Sequence, residues 1–245
     1  MYSKSARYYD VIYSEKDYAG EAAVLAQWIE QYLRSDQRRL LDVACGTGRH
    51  IEYLKRNFEV EGIDISPELL EIAAQRNPEI PFHCGDMISF ELDKKFDVVT
   101  CLFSAIGYVK TLDRLNQAVR SMTKHLVPGG LLIIEPWFTP DTWIPNTVHS
   151  LFVDEEDFKL ARINTSLVEG RVSILDLHHL VGTPQQTNYF VEHHELGLFE
   201  SEEMLDVYRR NGFYVFYDSE GLTGRGVYIG RLPLGKETSN DNPAP

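Results

Sequence analysis

The residues best placed to do chemistry begin with the stretch Leu40-Leu41-Asp42-Val43-Ala44-Cys45-Gly46-Thr47-Gly48-Arg49-His50. An apolar strand runs into a turn of small residues, and the turn opens a helix at Ile51-Glu52-Tyr53-Leu54. Glycine at 46 and 48 admits positive φ and lets a ligand reach the backbone without meeting a Cβ. The helix start behind it offers N–H groups with no partner inside the helix. Position 51 is isoleucine and no Gly-Lys-Ser/Thr follows, so neither of the two common phosphate-cradle patterns is met. The next strand, Val60-Glu61-Gly62-Ile63, ends in Asp64, whose carboxylate can accept both hydroxyls of a ribose. These residues describe a site for a nucleoside whose remainder need not be a pyrophosphate. At the end of a third short strand, Gly85-Asp86-Met87 adds a carboxylate and a flat thioether suited to an adenine's amine and face.

Other arrangements lead nowhere comparable. Ser104 has no assigned base, so a nucleophilic serine cannot be defended. His178-His179 and His193-His194 have the look of metal pairs, but neighbours in a strand face opposite sides and no fourth ligand completes a set; no metal is expected. His178 reads equally well as a plain strand residue. Trp137 reads as core or as pocket wall.

The pattern around these residues sets their positions. Tyr8-Tyr9-Asp10-Val11-Ile12-Tyr13 with Asp17-Tyr18 is an aromatic segment that either covers the open edge of a sheet or forms a lid with hydroxyls toward a ligand. A helix over 20–33 follows, with Ala23, Leu25, Ala26, Ile29 and Leu33 at helical spacing. Ser66-Pro67-Glu68 starts another helix: a capping serine, proline at the first turn, then an acid favoured by the dipole. The run 96–102 is almost continuously apolar, as in a strand buried on both faces. A helix over 112–126 is closed by Val127-Pro128-Gly129-Gly130, and a fifth strand over 131–135 leads to Pro136-Trp137-Phe138. Strands alternating with helices imply an α/β fold with a mostly parallel, Rossmann-like sheet and helices on both faces, whose ligands bind beyond the carboxyl ends of the strands. Beyond Trp143 the pattern becomes β-rich over 158–166, 171–181 and 188–199, an antiparallel meander inserted before a last helix at 201–210. The expected organisation is an N-terminal lid and helix (1–36), a cofactor domain (37–145 with 200–235), the β insertion on the acceptor side (146–199) and a disordered tail (236–245).

Composition narrows the partners. A formal charge of −13 over 245 residues argues against nucleic acid. No run approaches the ~18 apolar residues of a membrane span, and the first residues lack the apolar core of a signal peptide. Cys45, Cys84 and Cys101 read as small buried residues in a reducing cytoplasm. Asp154-Glu155-Glu156-Asp157 reads as a solvated acidic loop.

The glycine loop, Asp64 and Gly85-Asp86-Met87 together resemble the S-adenosylmethionine (SAM) site of class I methyltransferases. The chain from Tyr9-Asp10 to Arg225-Gly226 resembles the bacterial dTDP-3-amino-sugar N,N-dimethyltransferases, most selectively in Glu135-Pro136-Trp137 and Gly224-Arg225-Gly226. That resemblance implies a seven-stranded methyltransferase sheet, SAM as cofactor and a small-molecule acceptor, with a homodimer as a candidate assembly. It places Ala44, Gly46 and Gly48 behind the methionine part of SAM, Asp64 and Ile65 at the ribose, and Asp86 with Met87 at the adenine. Leu102 lies near the sulfonium, and Tyr9 and Tyr18 are lid contacts. For the acceptor it implies Ser104, Trp137, Arg162, Ser166, His178 and Arg225, the arginines meeting a diphosphate. Where the family tends to carry further cations in the meander, this chain has Thr165, Val168 and Glu195. Tyr108, with Tyr13, is the candidate for orienting an amine in line with the methyl group. The alternatives are O- or C-methylation of another small metabolite, and a SAM-binding protein without turnover.

Overall fold

The computed structural model describes residues 4–235, so the expected tail over 236–245 lies outside the described residues. After a 3-10 turn (Ala6–Tyr8) come α1 (Tyr9–Ile12), α2 (Tyr18–Tyr32), β1 (Arg39–Val43), α3 (Arg49–Leu54), β2 (Glu59–Asp64), α4 (Pro67–Arg76), β3 (Phe82–Cys84) and β4 (Phe96–Cys101). A second 3-10 turn (Ala105–Val109) leads to α5 (Leu112–Lys124) and β5 (Leu126–Ile134). Four long strands follow: β6 (Thr147–Asp154), β7 (Lys159–Glu169), β8 (Val172–Gly182) and β9 (Thr187–Gly197). Then come α6 (Ser201–Arg210), β10 (Tyr214–Asp218) and β11 (Val227–Arg231).

Strands β1 to β5, β10 and β11 form one seven-stranded sheet in the order β10-β11-β5-β4-β1-β2-β3. β1 to β5 pair in parallel, and β11 runs antiparallel to both β5 and β10. The apolar runs serve both faces. Leu41, Val99, Leu132 and Ile134 pack with Leu115, Val119, Met122 and Tyr208 from α5 and α6. Leu40, Val98, Leu131 and Ile133 pack with Leu25, Ile29, Ile51 and Leu54 from α2 and α3 on the other side. Alternation along each strand thus feeds two cores, which explains why the runs are continuous and not polar on one side.

Several boundaries differ from expectation. The helix expected at 20–33 is Tyr18–Tyr32, because the Asp17 carboxylate accepts from the Gly20 N–H (2.8 Å) and caps it early. The Ser66 cap of α4 forms as read, its hydroxyl accepting from Leu69 N–H at 3.3 Å. β5 starts at Leu126 and absorbs Val127-Pro128-Gly129-Gly130, with a register shift against β4 that a bulge around Gly129 (φ 79°) accommodates. Cys45 and Cys101 are buried, but Cys84, on edge strand β3, is exposed.

The meander is a separate antiparallel sheet of four strands, β6-β7-β8-β9. Its first strand, Thr147–Asp154, was not expected: each face mixes polar and apolar residues, Thr147 and His149 with Leu151 and Val153 on one, Ser150 and Asp154 with exposed Val148 and Phe152 on the other, which leaves no clean apolar face to read. The acidic stretch is the exposed turn joining β6 to β7, with Asp154 paired to Lys159.

The N-terminal segment straps the two sheets together. The Ser5 hydroxyl and N–H both donate to Glu192 of β9 (2.5 and 3.2 Å), and Tyr8 and Ile12 bury against Leu160 and Val181. At its other end, Asp10 accepts from the Thr47 hydroxyl in the glycine loop (2.6 Å) and pairs with Arg76 of α4.

Candidate active site

A cavity of about 650 Å³ lies between the carboxyl edge of the seven-stranded sheet and the inner face of the four-stranded one, under Tyr9 and Tyr13. One end is built by the loops after β1, β2, β3 and β4. These contribute Ala44, Gly46, Asp64, Ile65, Asp86, Met87 and Leu102. The other end is built by Trp137 beyond β5, Arg162 and Ser166 of β7, and Arg225 of the late loop, with Tyr108 on the wall. Most of the residues singled out in the sequence therefore share one space.

The glycine loop is shaped for close approach. Ala44 and Gly46 both take left-handed backbone (φ 58° and 55°), and nothing stands within 4 Å of where a Gly46 side chain would begin. Each oxygen of the buried Asp64 carboxylate accepts one backbone N–H, from Gly46 (2.9 Å) and from Ser66 (2.9 Å). Two fixed donors aim the group while each oxygen keeps a further lone pair. Burial pushes the Asp64 pKa up, against the pull of those N–H groups. Asp86 is turned by a hydrogen bond from its own loop, Ile88 N–H to Oδ1 at 3.1 Å.

On the opposite wall, the Arg162 guanidinium donates to the Tyr13 hydroxyl (3.3 Å) and lies 5.6 Å from its ring centre. Tyr13 in turn meets Tyr9 and the edge of Phe103 (ring centres 4.8 and 5.1 Å). Arg225 sits 5.7 Å from the ring centres of Trp137 and Phe138. Trp137 is pocket wall, its indole N–H donating to the Ser173 hydroxyl of β8 (2.9 Å). The Tyr108 hydroxyl is 2.7 Å from His194 Nδ1, and burial lowers the His194 pKa to about 4.

Four expected contacts are not brought into the cavity. Tyr18 is 4% exposed and wedged between α2 and α3, its ring edge-on to His50 (4.9 Å) with the Arg49 guanidinium 5.1 Å from its centre. Gly48 caps α3 with φ 71°. It faces Asn77 and Ala73 of the neighbouring helix turn, where a Cβ would come within 2.9 and 3.2 Å. Ser104 is buried behind the wall; its hydroxyl donates to Pro136 C=O (2.6 Å) and accepts from Arg225 Nε (3.0 Å). His178 lies on the outer face of the four-stranded sheet, bonded to the Tyr189 hydroxyl (2.6 Å). The reason is register: Arg162 stands opposite His179, so the odd positions of β8 face inward and His178 cannot. The same rule puts Thr165 and Glu195 on the outer face, away from the cavity.

Other residues of the site carried no usable signal. His194 was visible only as half of an adjacent pair. Asn164, Phe138 and Trp143 also line the cavity, and only the aromatic density beside Trp137 hinted at the last two. Glu135 stood in the Glu-Pro-Trp motif without a role.

A methyltransferase-domain family matches residues 40–130, from the first strand through β5's opening turn. Over 91% of its length the chain is 36% identical to the dTDP-4-amino-2,3,4,6-tetradeoxy-D-glucose N,N-dimethyltransferase of Saccharopolyspora spinosa, covering 90% of that protein. The chain belongs to the dTDP-amino-sugar N,N-dimethyltransferase family of SAM-dependent enzymes. The family fold extends over both sheets. The crystal structure of Streptomyces venezuelae DesVI superposes with a TM-score of 0.86 at 35% identity, covering 92% of this chain and 96% of that one. SAM-bound CalS10, an amino pentose methyltransferase from Micromonospora echinaspora, gives 0.80 at 38% identity, covering 88% and 92%. This chain's residues fit the family's cofactor: the open backbone over Gly46 is a cradle that a side chain would fill, and the aimed Asp64 carboxylate retains acceptor capacity for a diol. Among the described residues, no helix is long and apolar enough to cross a membrane.

Proposed function

We propose that the chain N-methylates the amino group of a dTDP-linked amino-deoxysugar. The observation that carries this reading is the polarity of the cavity: a nucleoside-type carboxylate, Asp64, at one end, two arginines, Arg162 and Arg225, at the other, and Tyr108 on the wall. Relatives spanning nine-tenths of the chain are named for dTDP-amino sugars, and an arginine's planar fork suits a diphosphate. In this reading residues 37–145 and 200–235 bind the cofactor, 146–199 faces the acceptor, and 1–36 supplies the lid.

SAM, when bound, supplies a methyl group already activated by the sulfonium charge. Ala44 and Gly46 would hold its methionine part, Asp64 and Ile65 its ribose, Asp86 and Met87 its adenine, with Leu102 near the sulfur. What remains for the protein is to hold an uncharged nitrogen in line and exclude water, a positioning effect worth ~7–11 kcal/mol in intramolecular models. In this reading Nδ1 of the neutral His194 is the acceptor for the Tyr108 hydroxyl, 2.7 Å away. That turns the phenol oxygen's lone pairs toward an amine N–H. Tyr13, held by Arg162, closes the space above. Ser166 and Trp137 line the sugar's side of the cavity.

Incubation with SAM and dTDP-amino-, amino- and hydroxy-sugars, followed by mass spectrometry, tests the proposal. Two methyl groups on one nitrogen of the nucleotide-linked amine are expected; methylation of the hydroxy-sugar alone would overturn it. Three free thiols support a reducing cytoplasm as the location. A homodimer is supported by the outer face of the four-stranded sheet, where Val148, Phe152, Ile163, Leu180 and Tyr189 are all exposed. Strand spacing and rise give that face roughly 600 Å², near the ~800 Å² per partner of a standard interface. Light scattering of the purified protein would settle its mass.

A further inference from the structure

One step beyond β5 stands a carboxylate to which neither cofactor nor acceptor binding gives a role. Glu135 is fully buried, 0% exposed. Its Oε2 accepts the Phe103 N–H at 2.6 Å, and its Oε1 accepts from the Thr223 hydroxyl and from Arg225 Nη2 at 3.2 Å. Its own N–H is fixed to Cys101 C=O at 3.0 Å, the last residue of β4. Of these donors, Phe103 and Arg225 line the cavity, and Thr223 stands two residues from Arg225 in the same loop.

Those donors lie in two segments that do not otherwise have to agree. Phe103 and Ser104 are consecutive non-glycine residues in left-handed backbone, φ 51° and 60°. Such a conformation persists only where the surroundings over-determine it. Here the Glu135 carboxylate holds the first residue and the Pro136 carbonyl the second. Thr223 and Arg225 belong to the loop between β10 and β11, which packs against that turn only through Glu135 and the Ser104 hydroxyl among the hydrogen bonds described. A buried charge that served packing alone would be costly, and an apolar side chain would do that work as well.

We propose that Glu135 is a positioning residue: one carboxylate oxygen sets the turn at Phe103 on the cofactor side, and the other sets Arg225 on the acceptor side. This rests on the reading of those two features as parts of one active site. Glutamine cannot replace it, because its amide has one accepting oxygen and would turn an N–H₂ group toward either Phe103 N–H or the Thr223–Arg225 donors. The carboxylate is what lets two sets of donors meet at one point.

The test is hydrogen exchange read by mass spectrometry on the full chain, Glu135→Gln against the unaltered protein. About tenfold faster exchange is expected at Phe103 and over 219–226, with the amides of β1 and β2 unchanged. With calorimetry, dTDP should bind about tenfold more weakly to Glu135→Gln while the SAM Kd moves less than about threefold. In an Arg225→Ala background the loss of dTDP affinity from Glu135→Gln should vanish, whereas the faster Phe103 exchange should persist. Exchange that is unaltered at both segments, or raised uniformly across the sheet, would overturn the proposal. If Glu135→Gln does not fold, Thr223→Val decides: faster exchange over 219–226 supports the role and unchanged exchange removes it. Should the unaltered protein fail to bind dTDP, the nucleotide-sugar reading falls, and the exchange result still judges Glu135.

Discussion

The Tyr108 hydroxyl and His194 Nδ1 stand 2.7 Å apart across the seam between the two sheets, one on the 3-10 turn after β4 and the other on β9. Both residues line the cavity, so the contact ties the seven-stranded sheet to the four-stranded one at its wall. Tyr108→Phe should lower kcat by about tenfold or more with the SAM Kd unchanged, since it removes a group acting on the acceptor in the transition state. His194→Ala should produce a similar but smaller loss. Single-turnover kinetics with calorimetry would check both; an equal loss of SAM affinity would move Tyr108 out of this role.

The burial of His194 has a consequence for pH. Its pKa of about 4 lies below the ordinary histidine value, so between about pH 4 and 6.5 the unfolded chain takes up a proton that the folded chain does not. Acidification therefore weakens the fold, by about 2 kcal/mol between pH 7 and pH 5 from this group. Asp42 works in the opposite direction. Burial raises its pKa to about 6, so the folded chain binds the extra proton between about pH 4 and 6 and stability from this group falls as pH rises. Relative to the unaltered protein, His194→Gln should lose less Tm on going from pH 7 to pH 5, and Asp42→Asn should lose more. Scanning calorimetry at the two pH values distinguishes these signs.

Asp64→Ala should weaken SAM binding by about 1–3 kcal/mol, because it strips the ribose of its acceptor and the Gly46 N–H of its anchor. Asp64→Asn, which keeps one acceptor, should lose less. A SAM Kd unchanged in calorimetry would take the ribose away from this residue.

The two faces of the four-stranded sheet give a paired expectation. Arg162→Ala should raise the acceptor KM about tenfold, by removing a cation at the cavity and the support of Tyr13. His178→Ala, on the outer face, should leave the acceptor KM within about twofold. The reverse outcome in steady-state kinetics would mean that the register of β7 and β8 has been misread.

Gly48→Ala should destabilise the fold and spare the cofactor. Left-handed backbone at a residue with a Cβ costs about 1–2 kcal/mol, and the new methyl would press on Asn77 and Ala73. A lowered Tm with SAM affinity close to normal is expected; a lost SAM site with an unchanged Tm would restore Gly48 to the ligand.

By itself, the sequence determined the five parallel strands and the residues at their carboxyl ends that line one end of the cavity. Both rest on local patterns: apolar runs of strand length, a Ser-Pro-Glu helix start, and small residues or carboxylates at strand ends, which the parallel topology gathers on one edge whatever the rest of the chain does. Only the tertiary structure decided the end built by Trp137, Arg162, Ser166 and Arg225. Whether His178 or His179 faces inward depends on strand register, a one-residue matter that inverts every side chain. That His194 meets Tyr108 and Glu135 meets Arg225 depends on contacts across 86 and 90 residues of chain. Such pairs leave no periodicity in the sequence, because each partner satisfies its own strand or loop and their meeting is fixed only when the two sheets close on each other.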